Sequence, residues 1–274
     1  MATPNSKLAR LLVLCLGCAW VLLAGALGGC AGPASTPVAQ NEGYTDSDLP
    51  DTRKRAINRL KLAVLYFQDG KLSYALDEVK QAINADPDWY EPYWMRGLID
   101  MQRGELALAE AGFQKALALN PGSPDLKHNY GVLLCKLNRP DEGIKMFGEA
   151  LDAPGYTQRA KTWLEQGVCQ LGAGRKADAE LSFGKSFAIN AGDNLASYYL
   201  GLLLYQRGEF EKAQFYTRRI NSSDTATAES LWLGMKVERR LGHKEAQEQL
   251  GAQLRKRYAQ SREAQAYERG AFDE

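Results

Sequence analysis

Cysteine and histidine, which serve as nucleophiles, metal ligands and bases near neutral pH, are both scarce in this chain. The 274 residues include five cysteines and two histidines. One cysteine, Cys30, directly follows Leu27-Gly28-Gly29 at the end of an apolar run. Two glycines leave the backbone unhindered for a peptidase, and a cysteine thiolate is a nucleophile that can accept a diacylglycerol group. This spacing therefore predicts cleavage before Cys30 and lipidation of its sulfur.

The segment before Cys30 has the order of a secretion signal. Lys7 and Arg10 precede an apolar run over residues 11–27, whose 17 residues fall short of the about 20 that cross a bilayer. The small-small-cysteine ending after a leucine is similar to the lipobox of bacterial lipoproteins. In those proteins an aspartate after the cysteine causes retention at the inner membrane, so Ala31 implies a lipid-anchored, periplasm-facing protein of the outer membrane. The alternative is an uncleaved membrane anchor with an incidental cysteine.

Composition separates the predicted signal, residues 1–29, from a tether and a folded part. Residues 30–52 are rich in proline, glycine, serine, threonine and aspartate, which predicts a lipidated flexible tether.

The charge balance of the chain gives no indication of a nucleic-acid partner. The whole chain has 34 Lys and Arg against 33 Asp and Glu, so no net field attracts a polyanion, and we expect no nucleic-acid partner. A local basic excess over residues 236–257 predicts a solvated helix face, or alternatively a contact to an acidic partner or lipid headgroups.

Two sets of small residues recur in step along residues 53–260. The first set is spaced by 34, 34, 36, 34 and 33 residues, and the second lies twelve residues after the first each time. The members are Ala63, Gly97, Gly131, Gly167, Gly201 and Gly234, then Ala75, Ala109, Gly143, Ala179, Ala213 and Ala246. Intervals near 34 are the period of the tetratricopeptide repeat, a hairpin of two antiparallel helices, A and B. The sequence therefore predicts an all-α superhelix of tetratricopeptide repeats.

Aromatic residues and helix breakers predict the packing and the limits of six hairpins. Phe113, Phe147 and Phe183 recur four residues after the second small residue and should fill the gap between hairpins. The second small residue should let helix B approach the following helix A. Thr217 and Leu250 replace the aromatic residue in the last two repeats. The hairpins are predicted at 56–89, 90–123, 124–159, 160–193, 194–226 and 227–260, followed by a C-terminal tail at 261–274.

Helix A of each repeat lines the inner face of a tetratricopeptide superhelix, and its inward positions here are nearly all apolar. An apolar inner face predicts a groove for an amphipathic helix or an extended strand of a protein partner. The alternative is that several of these side chains pack between repeats or under the C-terminal tail. The predicted groove residues are Leu60, Val64, Trp94, Leu98, His128, Val132, Leu164, Val168, Tyr198 and Leu202, with Leu231 and Met235 at the same positions of the last repeat.

A run in the third repeat is more distinctive than the repeats themselves. Asn129-Tyr130-Gly131 is followed by Leu134-Cys135, and Cys169 follows in the fourth repeat. This pattern resembles the type IV pilus biogenesis lipoproteins of the PilF or PilW family, which carry an Asn-Tyr-Gly-x-x-Leu-Cys run and a later cysteine on a lipidated six-repeat array. The resemblance implies a pilotin that assists the localisation or multimerisation of an outer-membrane secretin subunit. The alternative is a lipoprotein scaffold for β-barrel assembly or cell-wall synthesis.

Sites for catalysis, metals or cofactors have little support in the sequence. His128 and His243 each fall inside a repeat without a spaced cluster of Cys, Asp or Glu suited to a metal. No glycine-rich phosphate loop follows a predicted strand. We therefore predict a binding protein that has no catalytic residue, no metal, no cofactor and no small-molecule substrate. A helical-repeat hydrolase is the remaining enzymatic alternative.

Cys135 and Cys169 are the cysteines that remain once the signal is removed and Cys30 is acylated. They lie four residues after Gly131 and two residues after Gly167, late in the A helices of adjacent repeats, which pack side by side. A periplasm-facing domain folds under oxidising conditions. We therefore predict a disulfide between Cys135 and Cys169. The alternative is a pair of buried reduced thiols.

Overall fold

The computed structural model describes residues 49–272, and within that range it contains thirteen α-helices and no β-strand. The predicted signal at 1–29, the predicted lipidation site Cys30 and most of the predicted tether lie outside the described residues. The helices are α1 (Asp51–Gln68), α2 (Leu72–Ala85), α3 (Tyr90–Gln102), α4 (Leu106–Leu119), α5 (Pro124–Lys136), α6 (Pro140–Leu151), α7 (Arg159–Gly172), α8 (Lys176–Ile189), α9 (Asn194–Arg207), α10 (Phe210–Asn221), α11 (Ala228–Arg240), α12 (Lys244–Tyr258) and α13 (Arg262–Glu268).

The first twelve helices pair in chain order into six antiparallel hairpins, from α1–α2 to α11–α12. Each hairpin also packs on the next one, and the buried core runs along the array as a series of apolar clusters. The prediction of an all-α tetratricopeptide superhelix is confirmed. Across residues 49–272, no helix is both long and apolar enough to span a bilayer.

In every hairpin, the turn between helices A and B contains one residue whose backbone is in the left-handed conformation, with positive φ. Glycine supplies it in five hairpins, as at Gly104 with φ 80°. The third hairpin uses Asn138 instead, with φ 59°. Asparagine tolerates this conformation better than other residues that have a Cβ, so the repeat keeps its turn without the glycine.

The first hairpin starts earlier than the sequence predicts. Helix α1 begins at Asp51, so residues 51 and 52 of the predicted tether are helical. The extra turn packs against the loop between α2 and α3, where Arg53 pairs with Asp86 and lies over the Trp89 ring, 4.9 Å from its centroid. Ala56, one turn later, is fully buried. These contacts extend the helix beyond the repeat itself, and the 34-residue period does not encode them.

The predicted C-terminal tail contains a further helix that closes the end of the array. Ser261 caps α13 by accepting a hydrogen bond from the Ala264 backbone at 3.1 Å. Helix α13 packs on α11 and α12, and Phe272 stacks on Trp232 with ring centroids 4.9 Å apart. The helix therefore covers apolar surface that the last repeat would otherwise leave in water.

A glycine on helix A and a phenylalanine on helix B form the core of the middle hairpins. A Cβ added to Gly131 would lie 2.8 Å from the Phe147 ring, and one added to Gly167 would lie 2.5 Å from the Phe183 ring. The Phe183 ring also stacks on Tyr199 of the next repeat, with centroids 4.6 Å apart. The phenylalanine thus packs on its own hairpin and on the following one, and a larger residue in place of the glycine would exclude it.

Gly143 corrects one expectation about the second set of small residues. A Cβ added there would lie 2.5 Å from the Cys135 Sγ and 2.9 Å from the Gly131 carbonyl oxygen. Both contacts are on α5, the partner of α6 in the same hairpin, and not on the A helix that follows. The prediction that this small residue faces the next repeat is therefore wrong at Gly143. Gly131 on α5 and Gly143 on α6 instead allow the two helices of the same hairpin to pack closely.

We expect Gly143→Ala to lower the free energy of unfolding by about 1–3 kcal/mol, because the methyl group collides with a sulfur and a backbone oxygen. Gly148 is the matched control in the same helix, since a Cβ there meets nothing within 4 Å. Gly148→Ala should raise stability by roughly 0.5–1 kcal/mol. Urea denaturation of the two variants measures both effects, and equal stabilities would contradict the packing described for α6.

The last two hairpins lack the aromatic residue, and Thr217 and Leu250 lie beside Gly201 and Gly234 instead. Buried polar contacts join α10 of the fifth hairpin to α11 of the sixth. Asn221 donates a hydrogen bond through Nδ2 to the Ser230 backbone oxygen at 2.9 Å, and the Ser230 hydroxyl donates to the Asn221 Oδ1 at 2.9 Å. Glu238 is buried and accepts a hydrogen bond from Arg218 Nε at 2.7 Å. Because these buried polar groups are paired, they join the two hairpins without leaving an unsatisfied donor or acceptor.

Candidate partner-binding groove

An apolar groove lies between the A helices of the first two repeats. Leu60 and Val64 of α1 face Trp94 and Leu98 of α3, and all four side chains are half-buried. They border a cavity of about 410 Å³, in which Gln68 and Glu91 supply the polar groups. Its full lining is Leu60, Val64, Phe67, Gln68, Glu91, Trp94, Met95 and Leu98.

Helical spacing explains why these residues share one face. Leu60, Val64 and Phe67 follow the i, i+4, i+7 pattern on α1, and Glu91, Trp94 and Leu98 follow i, i+3, i+7 on α3. The two stripes meet because α1 and α3 are the A helices of neighbouring repeats. The result is a surface that can take apolar side chains beside one carboxylate.

The Trp94 ring carries an unpaired polar atom at this groove. Its Nε1 is buried and has no hydrogen-bond partner in the described part of the chain. Leaving a buried N–H donor unpaired costs about 1–3 kcal/mol. Most such donors in proteins are paired, so this one marks Trp94 as a position that packing alone does not explain.

His128 does not lie open at the inner face, because it packs between the third and fourth repeats. It is 3% exposed, and its Nδ1 is 2.9 Å from the Thr162 hydroxyl. That hydroxyl donates to the Gln158 backbone oxygen at 3.1 Å, so it accepts from Tyr156 and from the Nδ1–H of His128. Burial, aided by the Lys161 charge, lowers the pKa of His128 to about 4, so the ring is neutral at pH 7.

The other predicted groove residues fall into two groups, one buried in the core and one half-buried. Leu164 is buried, and Leu231 and Met235 are fully buried with α13 and Phe272 in the same cluster. For these residues and His128, the structure favours the alternative of packing between repeats or under the C-terminal tail. The remaining inward residues stay half-buried along the middle of the array; they are Val132, Val168, Tyr198 and Leu202.

A disulfide joins the two cysteines that the sequence pairs. Cys135 and Cys169 are bonded, with their Cα atoms 5.6 Å apart, and link α5 to α7. A second cavity of about 260 Å³ lies beside the bond, with Val132, Val168 and Glu165 in its lining. Burial raises the pKa of Glu165, although the neighbouring charges of Lys161 and Lys136 oppose that shift. This cavity is smaller and more polar than the groove at α1 and α3.

The basic residues near the C-terminus make contacts within the protein. Arg239 lies 4.3 Å from the centroid of the Phe272 ring, and Arg240 lies 5.1 Å from that of Phe210. Arg257 donates a hydrogen bond to the Asp224 backbone oxygen. Part of the basic excess therefore packs on aromatic rings instead of forming one open charged surface. Residues 49–272 contain no group of three His, Cys, Asp or Glu that could hold a metal ion.

Comparisons with known proteins agree with this architecture. The tetratricopeptide repeat family matches residues 60–124. The type IV pilus assembly protein PilF of Pseudomonas aeruginosa is 26% identical over 247 residues, which cover 90% of this chain and 95% of PilF. The crystal structure of PilW, a widely conserved type IV pilus biogenesis factor, is 27% identical with a TM-score of 0.70, over 77% of this chain and 97% of PilW. The chain is a homologue of the PilF and PilW proteins.

The solved structure of Pseudomonas aeruginosa PilF supports the same fold over most of the array. It has a TM-score of 0.73 at 23% identity, over 81% of this chain and 100% of its own length. The resemblance to PilF and PilW predicted from the run between Asn129 and Cys135 is confirmed. This chain is therefore a tetratricopeptide protein related to type IV pilus biogenesis factors.

Sequence reasoning missed several residues that shape the groove. Phe67 and Gln68 lie seven and eight residues after Leu60, and Glu91 lies one turn before Trp94. Extending the same helical stripe in both directions would have found them. The unpaired Trp94 Nε1 leaves no sequence signal, because the paired or unpaired state of an indole depends on neighbours from other helices.

Proposed function

We propose that this chain is an outer-membrane lipoprotein that acts as a pilotin in type IV pilus biogenesis. In this proposal Cys30 carries the lipid, and the array faces the periplasm, binds a secretin subunit and assists its localisation or multimerisation without catalysing a reaction. Support comes from the homology to PilF and PilW and, above all, from the open apolar groove of the first two repeats.

The position of the groove favours the first two repeats as the binding site. In the last repeat Leu231 and Met235 are buried, and in the third repeat His128 is hydrogen-bonded inside the core. The groove at α1 and α3 has half-buried apolar residues from both helices around one cavity. A partner segment can therefore bury new apolar surface on both helices there.

The lining of the groove indicates the chemistry of the segment that it would bind. Leucine, valine, phenylalanine and methionine side chains fit the apolar face of an amphipathic helix or alternate residues of a strand. Glu91 would pair with a lysine or arginine of that segment. A hydrogen bond from Trp94 Nε1 to a backbone carbonyl of the partner would remove the cost of the unpaired donor.

We expect Trp94→Ala to weaken secretin binding by at least about thirtyfold, the effect of losing a central aromatic contact worth 2 kcal/mol or more. Glu91→Lys should weaken binding without disturbing the apolar packing. Leu108→Glu is the control, since Leu108 is 48% exposed on α4 and is not part of the groove lining. Affinity is measured by calorimetry with the purified periplasmic part of the secretin, and folding by circular dichroism.

Two outcomes would contradict the proposal, the first for the groove and the second for the secretin as partner. In the first, Trp94→Ala and Glu91→Lys bind the secretin as well as the wild type does, while Trp94→Ala loses stability only. In the second, the lipidated protein purified from its own cells lacks the secretin but retains a β-barrel assembly or cell-wall protein. That second result would support the scaffold alternative.

A further inference from the structure

A second exposed apolar surface lies on the outer side of the first hairpin, away from the groove. Leu62 and Leu65 are 41% and 58% exposed on α1, and Tyr74 at the start of α2 is 63% exposed. The half-buried Tyr66 ring is next to that of Tyr74, with ring centroids 5.5 Å apart. Because Leu62 is three residues from Leu65 and four from Tyr66, the side chains are contiguous. We call Leu62, Leu65, Tyr66 and Tyr74 the α1 end surface.

This surface is separate from the groove. Two residues along an α-helix turn through about 200°, so Leu62 points nearly opposite to Leu60 of the groove. At the other end of the array, α13 and Phe272 cover the apolar surface of the last repeat. No helix in residues 49–272 covers the α1 end surface in this way, as the exposure of its leucines shows.

Cations surround the α1 end surface. Arg55, Arg59 and Lys61 lie on α1 within one or two turns of the leucines, and Lys71 Nζ lies 6.0 Å from the centroid of the Tyr66 ring. Arg59 pairs with Glu78 at 3.1 Å and Lys71 with Asp69 at 3.2 Å. Arg55 and Lys61 are exposed and make no ion pair within the described range of the chain.

We propose that the α1 end surface lies on the anionic phospholipids of the membrane leaflet that holds the lipid anchor. Exposed leucines and tyrosines among cations are typical of helices that lie at a membrane surface. One argument of this inference, the distance between α1 and the membrane, rests on the proposed lipid anchor at Cys30. The about 20 residues between Cys30 and Asp51 reach at most about 70 Å, so the anchor keeps α1 at a high local concentration near the headgroups.

This contact would orient the array on the membrane. With Leu62 and Leu65 at the headgroups, the first hairpin lies against the leaflet. The groove residues Leu60 and Val64, on the opposite side of α1, then face away from the lipid. The anchor would thus hold the protein on the membrane, and the α1 end surface would fix which side of the first repeat a partner meets.

Vesicle binding by the full mature chain from residue 30, with Cys30→Ser to remove the lipid, tests the contact. We expect binding to vesicles of phosphatidylethanolamine and phosphatidylglycerol, and at least about fivefold weaker binding to phosphatidylcholine vesicles. Leu62→Asp with Leu65→Asp, and separately Arg55→Glu with Lys61→Glu, should each weaken binding to the anionic vesicles at least about fivefold.

Matched controls on other faces separate this surface from general adhesion. Leu108→Asp with Leu181→Asp changes two leucines that are 48% and 66% exposed, and Lys244→Glu with Lys256→Glu changes two exposed lysines of α12. Each control pair should change binding less than about twofold, with circular dichroism unchanged.

Three results would overturn the proposal. In the first, the protein fails to bind anionic vesicles at millimolar lipid, and in the second, the control pairs lose as much vesicle binding as the α1 variants. In the third, the wild-type protein forms a dimer that only the Leu62→Asp, Leu65→Asp variant abolishes. The dimer would assign the surface to a second copy of the chain. Because the lipid is absent from this assay, its result is independent of whether Cys30 is lipidated in cells.

Discussion

With the proposed lipid on Cys30 as its anchor, the Cys30→Ser variant is expected to be almost completely absent from the outer membrane. A serine hydroxyl cannot replace the thiolate that accepts diacylglycerol, so the chain would lack its acyl chains. Each buried methylene contributes about 0.8 kcal/mol, and several acyl chains therefore hold a protein on a membrane almost irreversibly. Fractionation of cells, with detection of the protein in each membrane and in the soluble fraction, measures the loss.

Cys18→Ser is the matched control for the anchor, because Cys18 lies within the predicted signal and is removed with it. This variant and the wild type are both expected to attach to the outer membrane. Both variants should keep the helical content of the array, which has its own core. Normal outer-membrane attachment of Cys30→Ser would show that the protein is not a lipoprotein anchored at Cys30.

Loss of the disulfide between Cys135 and Cys169 is expected to lower the free energy of unfolding by roughly 3–4 kcal/mol. The bond closes a separation of 34 residues, and the chain-entropy estimate for a loop of this length lies in that range. Small domains are stable by about 5–15 kcal/mol, so the loss is a large fraction of the total. Urea denaturation of the wild type with and without reductant measures it.

Thiol counting provides the direct check on the disulfide. Protein that is made in the periplasm, denatured and kept free of reductant should show no reactive thiol from Cys135 or Cys169. The double variant Cys135→Ala, Cys169→Ala is the control, since reductant should leave its stability unchanged. Two reactive thiols per chain without reductant would rule the bond out.

Much of the fold could be predicted because the repeat period encodes contacts between neighbouring helices. Gly131 and Gly167 recur because each receives a phenylalanine ring of its own hairpin, and any residue with a side chain would collide with that ring. The same constraint holds at Gly97 with Phe113, so the second, third and fourth hairpins share a periodic signal in the sequence. The pairing of Cys135 with Cys169 follows from the same period, since equivalent positions of adjacent A helices lie side by side.

The features of the fold and of the groove that the sequence did not predict depend on contacts that occur only once among the described residues. His128 is buried because Thr162 and Tyr156, from the irregular 36-residue third interval, hydrogen-bond around it. No rule for inward positions of a repeat contains that information. The early start of α1 depends on the contacts of Arg53 with Asp86 and Trp89, and α13 follows after the last repeat. Features that do not recur with the repeat period could not be predicted from that period.

The unequal ends of the array have a consequence for how it opens. Each hairpin contacts only its neighbours, so local unfolding begins at an end. Helix α13 with Phe272 secures one end, and the disulfide between α5 and α7 stops opening that begins at the other. Amide hydrogen exchange should therefore be fastest in α1 and α2. The groove at α1 and α3 includes the hairpin that is expected to exchange fastest. An occupant of the groove would therefore slow exchange there, and its affinity would depend on the ordering of the first repeat.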